Sequence, residues 1–492
     1  MALSKSVIDG ANSMKITIQN LGIIKKAEID LKPLTVFVGP NNTGKTWTAY
    51  VLASIFSPYG FTKYRDAYIR GDIPNIYLPL DKAVEEATRN GIAVIDLVQF
   101  VSAYGEPYLN DVAQFTPQWI SSFLGTDFAS FEHLNISIDF TEKKGHILEY
   151  VLNSSLRKNI SGSQAGKSSV TIRKARGDKE VFIYLSKEDI NPDNKATMEQ
   201  SEQVIPPTII KDFLFESIMP ILHRAVYPHV RILPTERTAF IAHPMRRKGQ
   251  KTEESPQNQT TSETKLKTAP VPIGFFFDMM ESASNNETRE RVEGEKSARN
   301  TRQIKEYIQL AQLLEKQILG GQVKFSQTQL LYPNREILFQ TTSGSTLEIG
   351  VTSSMVKELS SLLFYLRYLA VPGELIVIDE PEMNLHPEAQ VKMIELLAIL
   401  ANNNLNVLIT THSPYIVDHL TNLIKANEAE NKENIRSAFY LKRTDAFISK
   451  DKVSVCLFDQ GQVIQAIDEE GIIELNTFGQ VSDQISDIYF NL

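Results

Sequence analysis

The chain has 492 residues, of which 42% are hydrophobic and 22% charged, and a formal net charge of −8. Such a composition belongs to a globular chain of roughly two to four domain-sized units, and its acidic balance excludes a protein that coats nucleic acid over its whole surface, leaving room only for a local basic patch. The single cysteine, Cys456 in VSVCLF, excludes an internal disulfide and a cysteine-built zinc cage. Its strand-like setting predicts a buried thiol. The N-terminal stretch MALSKSVIDGANSMK carries no apolar core of signal-peptide length, and no run approaches the ~20 residues of a membrane span. A cytoplasmic address with no membrane partner is therefore expected.

Residues 14–39 read as three short strands, MKITIQNL, AEIDL and LTVFVG, broken at Gly22 and at Lys32–Pro33. The third runs straight into GPNNTGKT, and TWTAYVLASIF then has helical character. Strand, glycine-rich loop and helix in that order are the setting a phosphate-binding loop requires. Its glycines let successive backbone N–H groups turn toward phosphate oxygens, and the dipole of the following helix adds to the attraction. Gly39, Pro40, Asn41, Asn42, Thr43 and Gly44 form the expected phosphate cradle. Lys45 reaches the β- and γ-phosphates, and the Thr46 hydroxyl ligates Mg²⁺.

From Ser57 to about Gly125 the pattern is helical, with IAVIDLVQFVSAY and VAQFTPQWISSFL as its clearest stretches. LNISIDF, HILEYVLN, SVTIRK and EVFIYL then predict an antiparallel meander. PTIIKDFLFESIMPILHRAVY reads as a helix, and HVRILPTERTAF returns to strand. Residues 245–269 almost lack large apolar side chains and predict a flexible segment. Its Arg246, Arg247, Lys248 and Lys251 either touch phosphate backbones or are simply solvated. Ile304, Tyr307, Ile308, Ala311, Leu314 and Ile318 share one helical face before Gly320–Gly321 stops the helix. Two or three strands over 323–350 precede SSMVKELSSLLFYLRYL, a helix expected to bury Val356, Leu359, Leu363, Leu366 and Ala370.

GELIVIDEPEMNLHP carries the complement to the phosphate loop. Leu375 to Ile378 read as a strand buried on both faces; Asp379 is placed to hold the Mg²⁺ shell, and Glu380 to take a proton from an attacking water. NVLITTHSP is a second such strand, ending at His412, whose neutral ring can donate one N–H to a γ-phosphate. Another Gly-Lys-Ser, Gly166–Lys167–Ser168, has Ser161 where a phosphate loop needs its first glycine. The base-reading motif of a GTPase is missing at both Asn194–Lys195 and Asn431–Lys432. His386 and His412 as metal ligands form a further alternative, without a local ligand spacing.

GPNNTGKT, LIVIDEPEMNLHPEAQ and LITTHSP, in that order, resemble the ABC-type ATPases of the SMC, RecF and OLD group. Within it the sequence is most similar to the stand-alone AAA family ATPase subunits of bacterial anti-phage operons, such as the Septu-type ATPase. The resemblance implies an α/β fold: a P-loop ABC-type ATPase head with an internal α+β insertion and a short helical arm. Residues 1–56 would begin the head, 57–227 form a helical and antiparallel-strand insertion, 228–244 return a strand to the head, 245–322 supply a linker and the arm, and 323–492 complete the head. It implies a homodimer or higher homo-oligomer that sandwiches ATP, with Ser353 and Ser354 capping the γ-phosphate of the neighbouring subunit. A plain helix N-cap is the alternative for these serines.

Arg237 in PTERT is implied to lie near the nucleotide, the alternative being a surface arginine paired with Glu236. The glutamine of a Q-loop stays open between Gln99 and Gln114, and no aromatic between Met14 and Leu34 offers a ring for adenine. No nuclease domain is evident after His412. The implied function is an ATP-hydrolysing sensor, with ATP and Mg²⁺ as cofactors, that controls a separate effector such as a nuclease in anti-phage defence. The alternative is a RecF- or SMC-like repair ATPase that clamps DNA directly.

Overall fold

The computed structural model describes residues 13–74, 76–161, 168–187, 205–242, 270–293, 302–326, 335–468 and 470–473. The basic cluster Arg246 to Lys251, Gly166, Lys167, Asn194 and Lys195 lie outside the described residues. Two compact units are present: a smaller one of Ser13–Thr17, Ser54–Thr116 and Leu134–His229, and a larger one of Ile18–Ala53, Pro117–His133 and the chain from Val230 onward.

In the larger unit the strands run, side by side, Ile24–Leu31, Gln462–Gln465, Val453–Asp459, Leu34–Val38, Asn406–Thr411, Leu375–Asp379 and Val230–Leu233. The strands from Val453–Asp459 to Val230–Leu233 pair in parallel. Every residue of Leu34–Val38, Leu375–Asp379 and Asn406–Thr411 is buried. That is why these stretches are apolar without alternation: a parallel sheet is covered on both faces. Register then aligns the strand ends, with Asp379 opposite Thr410, Thr411 opposite Val38 and Ile378 opposite Leu233. The loops that leave these ends share one rim, the place where open α/β sheets bind ligands.

The helix expected as an arm is packed into this unit. Helices Val271–Glu293 and Arg302–Leu314 contribute Phe276, Met279, Ala283, Tyr307, Leu310, Ala311 and Leu314 to the same apolar core as the sheet. Leu310, not Ile308, completes the buried stripe; the Tyr307 hydroxyl donates to the Asn403 carbonyl at 2.6 Å. Strands Gly321–Phe325, Ile337–Thr341 and Thr346–Glu348 form a separate antiparallel sheet. Helix Ser354–Tyr368 buries Val356, Leu359, Leu363 and Leu366 as expected, and also the polar Glu358, Ser360 and Ser361. Cys456 is a buried strand thiol, pushed up to about 12 by burial.

The smaller unit holds a four-stranded antiparallel sheet in the order Ile92–Asp96, Glu180–Lys187, Ser168–Lys174, Leu156–Ser161, together with helices that include Pro58–Arg70, Leu78–Asn90, Leu97–Phe115 and Pro207–Val226. Two expectations are corrected here. HILEYVLN lies in the helix Lys144–Asn153: Ile147 and Val151 are buried while Glu149 between them is exposed, where a strand would put all three on one face. IAVID is a strand, since Gly91, with φ 76°, ends the preceding helix in the left-handed conformation, after which burial alternates through Ile92–Asp96.

Candidate nucleotide site

The loop Gly39–Thr46 follows its fully buried strand and opens the helix Lys45–Phe56. Gly39 has φ 144°, and a Cβ there would stand 2.2 Å from the Phe458 carbonyl oxygen; Gly44 has φ 95°, and a Cβ there would meet Ile24 Cδ1 at 2.7 Å. Only glycine lets the backbone turn in this space. Asn42, also left-handed at φ 61°, continues the curl that aims successive N–H groups inward. The Lys45 ammonium donates to the Gly39 carbonyl at 2.9 Å and the Pro40 carbonyl at 2.7 Å, so it is already folded back over the loop. Burial pulls it down to about 8, against the opposing pull of Glu380, Asp379 and Glu382.

Two segments 333 positions apart meet at this loop: the Thr46 hydroxyl donates to Asp379 Oδ1 at 2.9 Å. Thr410 also donates to Oδ1, while Thr235 and Tyr50 donate to Oδ2. Asp379 is thus gripped by hydroxyls from two neighbouring strand ends and from the loop helix. A hydroxyl and a carboxylate converging this way are hard oxygen donors, the set that suits Mg²⁺.

Glu380 takes an unusual backbone, φ 48°. Its N–H donates to the Thr410 carbonyl and hydroxyl, both at 3.1 Å, and its carboxylate Oε1 lies 3.2 Å from His412 Nε2. The hydrogen bond from His412 holds the Glu380 carboxyl below its ordinary range; burial opposes this, while the Lys45 and Arg237 charges assist it. Glu380 is therefore ionised and able to accept a proton at neutral pH. His412 is fixed in turn by Glu382, which accepts its backbone N–H at 2.6 Å and the Thr411 hydroxyl at 2.7 Å. Burial raises the Glu382 carboxyl, and those two donors offset part of the effect.

Arg237 is not a surface residue paired with Glu236. It is 2% exposed, and its guanidinium donates to the carbonyls of Pro234 at 2.8 Å, Asp379 at 2.6 Å and Glu380 at 2.9 Å while ion-pairing with Glu358. The surface alternative fails because the strand Val230–Leu233 delivers Arg237 beneath the Asp379–Glu380 turn. Ser353 and Ser354 are exposed, and the Ser353 hydroxyl accepts the Val356 N–H at 3.3 Å as an N-cap. His386 is likewise an N-cap, of helix Pro387–Asn402. Among the described residues no three His, Cys, Asp or Glu side chains are arranged to hold a metal ion, so His386 and His412 do not form such a set. Gln99 and Gln114 both lie on helix Leu97–Phe115 of the smaller unit.

Sequence reading missed Thr235, Thr410, Glu358 and Glu382. The threonine pair at the end of LITT was the one signal available, since polar residues closing a buried strand face the rim. Glu358 gave none, being one acidic residue beside Lys357 in a helix that also carries Arg367.

The profile of the AAA ATPase domain family matches residues 14–417, a span that begins before the phosphate loop and ends after His412. The chain belongs to the AAA ATPase domain family. No protein of curated function matches the sequence. Among solved structures, this AAA ATPase is similar to an Smc head bound to the C-winged helix domain of ScpA, at 12% identity and a TM-score of 0.34, covering 92% of this chain and 97% of that one. It is similar also to an Smc head with an extended coiled coil, bound to the C-terminal domain of ScpA derived from Pyrococcus furiosus (12%, 0.34, 96% and 99%). A third is the SMC head domain from Thermotoga maritima (10%, 0.33, 94% and 99%). Among the described residues no helix is long and apolar enough to cross a membrane.

Proposed function

We propose that the protein is an ABC-type ATPase that hydrolyses ATP to ADP and phosphate at the rim formed by Gly39–Thr46, Asp379, Glu380 and His412. The observation that carries this reading is the meeting of Thr46 with Asp379 beside an ionised Glu380. Gly39 to Gly44 cradle the phosphates with backbone N–H groups, and Lys45 leaves the loop carbonyls to neutralise them. Thr46 and Asp379 would hold Mg²⁺, which when bound supplies neutralising charge to the phosphates. Glu380 takes the proton of the attacking water, and His412, hydrogen-bonded to it, reports the state of the terminal phosphate. Ser353 and Ser354, exposed at a helix N-terminus, suit capture of a γ-phosphate from a second copy, giving a homodimer with ATP between the subunits. Glu380→Gln, assayed by phosphate release with ATP binding followed in parallel, tests the site: lost turnover with retained binding supports it, and unchanged turnover removes Glu380 as the base.

The resemblance to ATPase subunits of bacterial anti-phage operons supports a regulatory role, a nucleotide-driven cytoplasmic sensor in anti-phage defence that holds or releases a separate effector such as a nuclease. Hydrolysis would then switch conformation. Purification at native levels distinguishes the outcomes. A stable protein partner with weak DNA binding supports the sensor; ATP-dependent, salt-sensitive DNA binding by the protein alone replaces it with a DNA clamp.

A further inference from the structure

The left-handed backbone of Glu380 calls for an explanation. A non-glycine residue at φ 48° is strained and persists only where its surroundings over-determine it. Thr410 holds the Glu380 N–H from one side. From the other, one guanidinium takes the carbonyls of both Asp379 and Glu380. Arg237 can do this because its donors lie in a rigid plane, a fork that the point charge of a lysine does not reproduce.

The guanidinium is itself fixed by Glu358, 1% exposed, whose other oxygen accepts the Thr238 hydroxyl. Asn384, four residues beyond Glu380 and also left-handed at φ 61°, hydrogen-bonds to the same carboxylate. Both ends of the turn that follows the strand Leu375–Asp379 are therefore tied to one buried ion pair. A buried ion pair is a poor stabiliser, since desolvation cancels much of its attraction; what this pair does is hold a strained turn.

We infer that Arg237 is a positioning residue for Glu380, and that Glu358, on the helix begun by Ser353 and Ser354, locks Arg237 in place. Removing the fork leaves the phosphate loop and Asp379 side-chain contacts intact but lets the Glu380 turn relax toward ordinary backbone, displacing its carboxylate from the line of attack. The inference rests on the reading of Glu380 as the proton acceptor, and the experiment separates the two.

The full-length protein is purified with Arg237→Lys, Glu358→Gln, the double change Arg237→Met with Glu358→Met, and Glu380→Gln. ATP turnover, ATP affinity and thermal unfolding are measured for each. Arg237→Lys is expected to lower kcat roughly 10- to 100-fold, the effect of misplacing a reacting group by about an ångström, with KM and ATP affinity within about twofold of wild type. Glu358→Gln lowers kcat less, because its amide oxygen still accepts from the guanidinium. The apolar double variant replaces the buried pair without leaving an orphaned charge, so it unfolds close to the wild-type temperature, yet kcat stays low. Wild-type kcat in Arg237→Lys, or recovery of kcat together with stability in the double variant, overturns the inference. If the double variant does not fold, the split between kcat and KM in Arg237→Lys decides alone. Wild-type turnover in Glu380→Gln would instead overturn the role of Glu380 as base.

Discussion

Lys45 in the larger unit and Lys143 in the smaller one are both buried, at 5% and 4% exposure, and both are pulled down in pKa, to about 8 and about 7. Their surroundings differ in kind. Lys45 sits among Asp379, Glu380 and Glu382, carboxylates that oppose its burial, and lies across a loop whose carbonyls it can leave for a ligand. Lys143 is lowered by burial alone, with its ammonium 3.6 Å from the centre of the Tyr227 ring. A shifted pKa marks a functional site only when charges of opposite sign are gathered around a space that a ligand can enter; the same shift from burial alone is a property of the core.

His223 belongs with Lys143. Burial lowers it to about 4; its Nδ1 faces the Tyr108 hydroxyl at 2.9 Å and its Nε2 the Ser57 carbonyl at 3.0 Å. A neutral imidazole donating to the carbonyl and accepting from the phenol satisfies both contacts, so the residue is a structural link in the smaller unit.

This contrast breaks most sharply at Glu380. Glu380→Gln is expected to lower ATP turnover by ~10²–10⁴-fold, the contribution of a general base, while ATP still binds; phosphate-release kinetics and a binding isotherm check both halves. Next in size, Lys45→Ala should weaken ATP binding by roughly 10- to 100-fold, as expected for loss of a charge-assisted hydrogen bond. Wild-type affinity should also fall as pH rises through about 8, where the free ammonium loses its proton, and titration calorimetry across pH should find that slope flattened in Lys45→Ala.

In the smaller unit the same kind of substitution should act on stability and spare turnover. Between about pH 7 and 10.5 the unfolded chain binds a proton at Lys143 that the folded chain does not, so this group makes stability rise with pH across that window. Lys143→Met should flatten the rise, changing stability by about 1–2 kcal/mol in chemical denaturation, with kcat unaltered. The smallest effect is expected at His223. The unfolded histidine is protonated below 6.5 but the folded one only near 4, so stability is lost as pH falls through that interval. His223→Gln should reduce that loss by about 1 kcal/mol or less, read from melting temperatures at pH 6.5 and pH 4.5. Loss of turnover in either variant would erase the distinction drawn between the two units.

Local pattern was enough to read the phosphate loop, the strands LTVFV, LIVID and NVLITT, and the helix over Ser354–Tyr368, because each is announced by a run of neighbouring residues: a glycine spacing, an unbroken apolar stretch, a helical period. The acid pair Asp379–Glu380 was legible for the same reason, as charge closing a buried strand. Short amphipathic stretches were not. HILEYVLN fits either period over so few residues, and packing of Ile147 and Val151 chose the helix. Nor could any run of sequence announce that Thr235, Thr410 and Arg237 surround the Asp379–Glu380 turn, or that Glu358 lies behind it. Those contacts join three strand ends and a helix distant in the chain. They exist only once the parallel register has set the strands side by side, since hydrogen bonds and ion pairs act over a few ångströms and chain order says nothing of which remote residues come that close.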